Sequence, residues 1–117
     1  MNDTPPFQPA RLFTGIISPE KHLSQQLLTH IETTFNNTIL TISPPFPFDH
    51  STYYEAEMGT SLYRHFIAFH TLISPETGPS YKCLSCDIEH TYMSHNKRRY
   101  NLDPGILNLH NIILYST

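Results

Sequence analysis

An apolar stripe at helical spacing, Leu23, Leu27, Leu28, Ile31 and Phe35, stands between two short runs rich in aliphatic and β-branched residues, Leu12 to Ile17 and Thr38 to Ser43. A helix with one apolar face must bury it, and strands on either side supply the sheet to bury it on, so this pattern predicts a helix-on-sheet layer. Gly15, inside the first run, marks a bulge or a close backbone approach. Ser18-Pro19-Glu20 reads as the helix start. It offers a capping hydroxyl, a proline where the missing N–H costs nothing, and a carboxylate at the positive end of the dipole. Asn36-Asn37 ends the helix, and Pro44-Pro45 stops the second strand.

Further on, Leu62 to Ile73 has the aromatic and β-branched content of a long strand, with helix as the alternative. Ser74-Pro75-Glu76 repeats the earlier start signal and opens a second helical region, where Tyr81, Leu84, Ile88 and Tyr92 share a face. Arg98 to Leu102 reads as a fourth strand, ended by Asp103-Pro104-Gly105, whose proline-glycine pair suits a type II turn. Ile112 to Tyr115 reads as the last strand. This order predicts an α+β fold, a ferredoxin-like split βαβ sandwich with a mainly antiparallel sheet and two helices on one face. The other face then needs a cover or a partner. Residues 1–10 are expected to form a flexible proline-rich arm and residues 11–117 a single α+β domain. An apolar strand closing the sequence predicts pairing, with C-terminal strands that the domain lacks or with a second copy of the chain, a homo-oligomer.

Composition narrows the function. The formal net charge of −3 gives no electrostatic basis for binding duplex nucleic acid or an anionic membrane. No apolar run approaches the roughly 20 residues of a membrane span. The opening MNDTPPFQP lacks the basic and apolar regions of a secretory signal, and two cysteines three apart fit a reducing compartment, so the cytoplasm is expected. Eight histidines predict sensitivity to pH between about 6 and 7. With glycine only at positions 15, 59, 78 and 105, neither a phosphate-binding P-loop nor a dinucleotide fingerprint can be spelled, and G-x-S-x-G is absent too.

Two polar clusters could carry chemistry. In DHSTYYEAEMG, Asp49, His50, Glu55 and Glu57 mix with Ser51, Thr52, Tyr53 and Tyr54, a set able to hold a hard cation or move protons, or simply to pin a surface loop. KRRYNLDPG places Lys97, Arg98 and Arg99 beside Asn101 and Asp103, and arginine forks recognise carboxylate and phosphate. On a strand Arg98 and Arg99 point to opposite faces, so at most one shares a site with Arg64. Cys83, Cys86, His90 and His95 spell a zinc-knuckle-like string, but a helix with its own core stripe argues for ordinary buried thiols and no metal. His22-Leu23-Ser24 and His50-Ser51-Thr52 are H-x-[ST] strings of the type that 2H phosphoesterases carry on facing strands, although the first falls on the expected helix.

RLFTGII, FPFDHSTYYEAEMG, LYRHFIAFHTLI and RRYNLDPG together resemble the uncharacterised prokaryotic domain-of-unknown-function family 4416, from about Arg11 onward. The resemblance implies motif positions at Phe46, Pro47, Phe48, Tyr53, Tyr54, Glu57, Met58, Gly59, Arg64, Lys82, Glu89, Asn101, Asp103, Pro104 and Gly105. Ser85-Cys86 stands where that family tends to have Thr-Asn, Ile106 replaces a tyrosine, and family members continue for several dozen residues past the position of Thr117. These observations converge on a polar pocket where Tyr53, Tyr54 and Glu57 meet Arg64, Arg98 or Arg99, Asn101 and Asp103. The arginines would hold a small anionic or phosphorylated ligand, the tyrosines would supply hydroxyls or a stacking wall, and Glu57 with Asp103 would supply metal or acid-base capacity. No cofactor is identified. The rival expectations are an assembly module using the open sheet face and the terminal strand, and a 2H-like phosphoesterase acting through His50.

Overall fold

The structure, a computed structural model, describes residues 8–48, 53–108 and 112–115. In chain order it contains β1 (Arg11–Ser18), α1 (Gln25–Phe35), β2 (Ile39–Ile42), β3 (Phe46–Phe48) and α2 (Glu55–Met58). These are followed by β4 (Leu62–Phe69), a 3-10 turn (Pro75–Thr77), α3 (Ser80–Thr91), β5 (Asn101–Leu107) and β6 (Ile112–Leu114). All the strand pairs are antiparallel, in the order β2-β4-β1-β5-β6, and β3 runs on along the same side of β4 as β2. The fold is thus α+β, and the order of β2, β4, β1 and β5 is compatible with the ferredoxin-like arrangement.

The pleat sorts the residues of β1 between two faces. Leu12 and Ile16 point to one side with Ile67 and Phe69 of β4 and Leu102 of β5, where Leu27, Ile31 and Phe35 of α1 and Ile88 of α3 cover them. Each such side chain contributes roughly 1.5–3 kcal/mol through burial. Tyr81 stands edge-on to Phe35 with centroids 5.2 Å apart, and His30 Nδ1 lies 3.0 Å from the Tyr92 hydroxyl, which ties the two helices together. Phe13, Gly15 and Ile17 point to the opposite face, in register with Ala68, Phe66 and Arg64 of β4 and with Gly105, Asp103 and Asn101 of β5. That face carries no long helix among the described residues.

Several boundaries differ from the sequence expectation, each for a local reason. α1 begins at Gln25, not at Pro19. Ser24 is the cap, accepting from Leu27 N, while Ser18 Oγ accepts from Glu20 N and Glu20 Oε1 accepts from Ser24 N. Glu20 is drawn away by Arg99 and Tyr100, so residues 19–24 stay bent. The expected end at Asn36 holds, with φ 49° in the left-handed region that asparagine tolerates.

β4 stops at Phe69, short of Ile73, because the Asn37 amide takes both backbone groups of Thr71, donating to its carbonyl and accepting from its N–H at 2.9 Å each. The stretch from Pro44 to Gly59 holds β3 and α2 in its described part, where only a polar segment was expected.

The largest correction is at Asp103-Pro104-Gly105, which is strand and not turn. β5 starts at Asn101 and runs straight through it. Pro104 accepts from Tyr115 N on the β6 side, so its missing N–H faces the end of the short β6 and costs the β1 ladder nothing. Gly105 is required by proximity: a Cβ there would lie 2.6 Å from Ile113 O and 2.7 Å from Phe13 Cζ.

Candidate functional site

The uncovered face of the sheet is concave around Arg64. Residues Phe13, Gly15, Ile17, Arg64, Phe66, Asp103 and Leu114 line a hollow of about 250 Å³. A second hollow of about 280 Å³, lined by Phe46, Pro47, Phe48, Arg64 and Phe66, adjoins it across the arginine. Arg64 is placed by the two-residue period of β4, and its guanidinium carbon lies 4.5 Å from the Phe48 ring centroid and 5.9 Å from that of Phe66. Such cation–π contacts hold the side chain but satisfy none of its five N–H donors.

One end of this face is closed by α2. Gly59, at φ 90°, ends the helix, and Met58 buries against Ile17 and Leu62, with Phe48 and Tyr54 packed around it. Tyr54 stands edge-on to Phe48 at 5.8 Å and to the exposed Tyr53 at 5.0 Å. Burial raises the Tyr54 hydroxyl above its usual pKa, and the charge of Asp103 pushes it the same way, while Arg98 and Arg64 pull it back. Tyr54 therefore sits within electrostatic reach of Tyr53, Arg64, Arg98 and Asp103, all expected to form the pocket.

A chain of polar contacts runs under the hollow. Glu57 receives Nε and Nη2 of Arg98 as a fork, at 2.9 Å each, and also its backbone N–H at 2.8 Å. Arg98 Nη1 donates to Asn101 Oδ1, Asn101 Nδ2 donates to Asp103 Oδ2, and Lys82 reaches Asp103 Oδ1 at 3.3 Å. Buried Glu89 joins from α3, lying 3.6 Å from Arg98 and accepting from Leu102 N.

Local backbone places the arginine. Ser94 and Lys97 pair across His95 and Asn96, whose φ values of 53° and 61° make the tight primed turn that delivers Arg98 to Glu57. The hydrogen bonds from the Arg98 side chain lower the Glu57 pKa, so at neutral pH Glu57 is a fully engaged carboxylate.

Arg99 turns the other way. It pairs with Glu20 at 2.8 Å beside the Tyr100 hydroxyl, on the helix-covered side of the sheet. Burial alone would raise the Glu20 pKa, but hydrogen bonds from Tyr100, Ser24 N and Arg99 bring it below its usual value. The geometry thus joins Tyr54, Glu57, Arg98, Asn101 and Asp103 in one neighbourhood, sets Arg64 on the wall it shares with Asp103, and leaves Arg99 apart.

Sequence reasoning missed Phe13, Gly15 and Phe66 as lining residues. The signal was the two-residue period that aligns them with Arg64, legible once the strand register is known. Lys82 and Glu89 were named as motif positions but given no part in the site, although their spacing of seven puts both on one face of α3.

The other candidates fall elsewhere. Cys83 is exposed and Cys86 half-buried, not the buried thiols expected, because α3 turns Ser85, Ile88 and Glu89 inward. Among the described residues no three His, Cys, Asp or Glu side chains gather as a metal site. His22 stands in the loop before α1, not on a helix or a strand, and the 50–52 string lies outside the described residues, as does Asp49. His65 is buried on the helix-covered face with Nε2 3.0 Å from Lys21 O and no partner for Nδ1 among the described residues, and desolvation depresses its pKa.

Among the described residues no helix is long and apolar enough to cross a membrane. The family described as domain of unknown function (DUF4416) matches residues 8–117, almost the whole sequence, and the chain belongs to it. No curated protein matches.

Proposed function

We propose that this member of the family binds a small ligand with a carboxylate or phosphate group on the open sheet face, with Arg64 receiving the anion. One observation carries the reading. Lys82, Arg98 and Arg99 each face a carboxylate at 3.6 Å or less, whereas half-buried Arg64 rests against the Phe48 and Phe66 rings and has no ion pair among the described residues. A guanidinium held between rings is desolvated without being neutralised, which favours an incoming bidentate acceptor. Asp103, bound on each oxygen once and still half-exposed, offers spare lone pairs to a donor on the same ligand. The rings of Phe13, Phe46 and Phe66 supply the apolar walls.

The test is a melting-temperature screen of nucleotides, sugar phosphates and aromatic carboxylates, followed by calorimetry on wild type and Arg64→Met. A ligand present at a hundred times its dissociation constant stabilises the native state by about 2.7 kcal/mol. The reading requires at least one anion to raise the wild-type melting temperature and to lose that effect in Arg64→Met. Equal stabilisation of both proteins, or none across the panel, overturns it.

A further inference from the structure

A third hollow, of about 240 Å³, lies on the helix-covered side of the sheet, between the bend that precedes α1 and the β2/β4 pair. Its polar lining differs from that of the open face. Lys21 and His22, both exposed, stand at the rim with Ser43, and buried His65 lies beneath them. Among the described residues that line it there is no carboxylate. Glu20, whose charge reaches His65, is taken up by Arg99 and the Tyr100 hydroxyl.

His65 supplies the deciding feature. The two-residue period of β4 sends its ring to the same face as Ile67, and the residue is only 2% exposed. Its Nε2 lies 3.0 Å from the Lys21 carbonyl, which can only accept, so Nε2 carries the proton and Nδ1 keeps a bare lone pair. Nothing among the described residues donates to that lone pair. Desolvation depresses the His65 pKa, which keeps Nδ1 unprotonated at neutral pH. A buried acceptor without a donor costs free energy, so the hollow favours an occupant that brings an N–H or O–H to it.

Basic residues at the rim and a bare acceptor below them together select an anion that still carries an acidic hydrogen. We propose that this hollow is a second anion site, separate from the open face, which takes a phosphate group with one remaining P–OH. The charged oxygens face Lys21 and His22, and the P–OH donates to His65 Nδ1. Free phosphate and phosphate monoesters qualify, because their second ionisation falls near neutral pH and a share of the molecules keeps the proton. Sulfate, carboxylates and phosphodiesters have lost theirs. The volume is several times the roughly 30 Å³ share of a water molecule, which leaves room beside the phosphate for a short chain against Leu28 and Ile42.

The test measures binding of inorganic phosphate and of sulfate by calorimetry and melting temperature, at matched ionic strength and neutral pH. Wild type is expected to prefer phosphate by at least about tenfold, since a site built around an acceptor rejects an analogue that lacks the donor. His65→Phe, which keeps a ring and removes the lone pair, should abolish that preference. His22→Gln, an exposed change that leaves folding intact, should weaken phosphate binding at least about threefold, while His70→Gln, an exposed histidine outside the hollow, should not. Glycerol phosphate serves as the monoester arm: tighter binding than inorganic phosphate assigns the site to monoesters, and weaker binding assigns it to the free ion. No phosphate binding, equal binding of sulfate, indifference to His22→Gln, or a phosphate effect that disappears in Arg64→Met overturns the proposal.

Discussion

Replacing Arg98 by methionine keeps the length of the side chain and removes its charge, its fork to Glu57, its hydrogen bond to Asn101 and its ion pair with Glu89. The Glu89 side chain is only 7% exposed, so it would be left with the Leu102 N–H and no counter-charge. Breaking a buried pair from one side costs about 3–5 kcal/mol, and the partial exposure of Arg98 and Glu57 argues for the lower end, about 3 kcal/mol. For a chain of this size that corresponds to a fall of roughly 12 °C in melting temperature. Urea unfolding should show the loss as a lower midpoint with an unchanged slope, as expected when stability falls but the unfolded state does not change. Glu57→Gln, which preserves shape, should cost about 1–1.5 kcal/mol, and the double variant should show a coupling of at least about 1 kcal/mol, since the two residues act through one contact. A loss under about 1 kcal/mol for Arg98→Met, or strict additivity with Glu57→Gln, would refute the view that this fork fastens α2 to the start of β5.

Acid should weaken the same contact. The Glu57 carboxyl sits below its ordinary pKa of 4.5, so its contribution is present above that value and is lost as pH falls through the lower folded value; Arg98→Met should flatten this part of the acid-unfolding curve. His65 acts in the same direction at milder pH. Burial holds it neutral in the folded protein while the unfolded chain takes up a proton near 6.5, so stability declines as pH falls below that value and His65→Gln should lessen the slope. Gly105→Ala drives a Cβ into Ile113 O and the Phe13 ring and should cost at least about 2 kcal/mol, whereas Gly15→Ala, whose nearest neighbour is the Phe66 ring at 3.4 Å, should cost under about 1 kcal/mol; comparable melting temperatures for the two would contradict the packing on the open face.

The two long helices and the central strands were legible because period and composition agreed there: Leu27, Ile31 and Phe35 stripe α1, and Leu12 and Ile16 alternate along β1. Local signals misled where a distant partner outbid them. Ser18-Pro19-Glu20 has every mark of a helix start, but Glu20 bonds Arg99 and Tyr100, about eighty residues away, and only Ser24 is left to cap. Pro104-Gly105 spells a turn, yet a strand bordering a short neighbour can accept a proline whose nitrogen faces the strand's end. A linear reading of the two polar clusters put Glu57, Arg98, Asn101 and Asp103 forward for one pocket, and hydrogen bonds link these four in the structure. It could not tell that Glu57 is occupied by Arg98, because engagement depends on the turn at 94–97 and on the depth of α2, neither of which a linear pattern encodes.

β1 lies at the centre of the sheet, and its neighbours arrive late: Ile16 pairs with His65, and Leu12 with Ile106. At a synthesis rate of about 5–20 residues per second, the first of these partners appears roughly 2–10 s after β1 and the second roughly 5–20 s after it. Until β4 is made, α1 supplies most of the described core that can shield Leu12 and Ile16. Pairing at such separations also raises contact order and slows folding. The nascent chain thus holds its central strand unladdered until β4 is made and open on one side until β5 is made, which makes the emerging β1–α1 unit the segment most exposed to chaperone capture and to mispairing between neighbouring ribosomes.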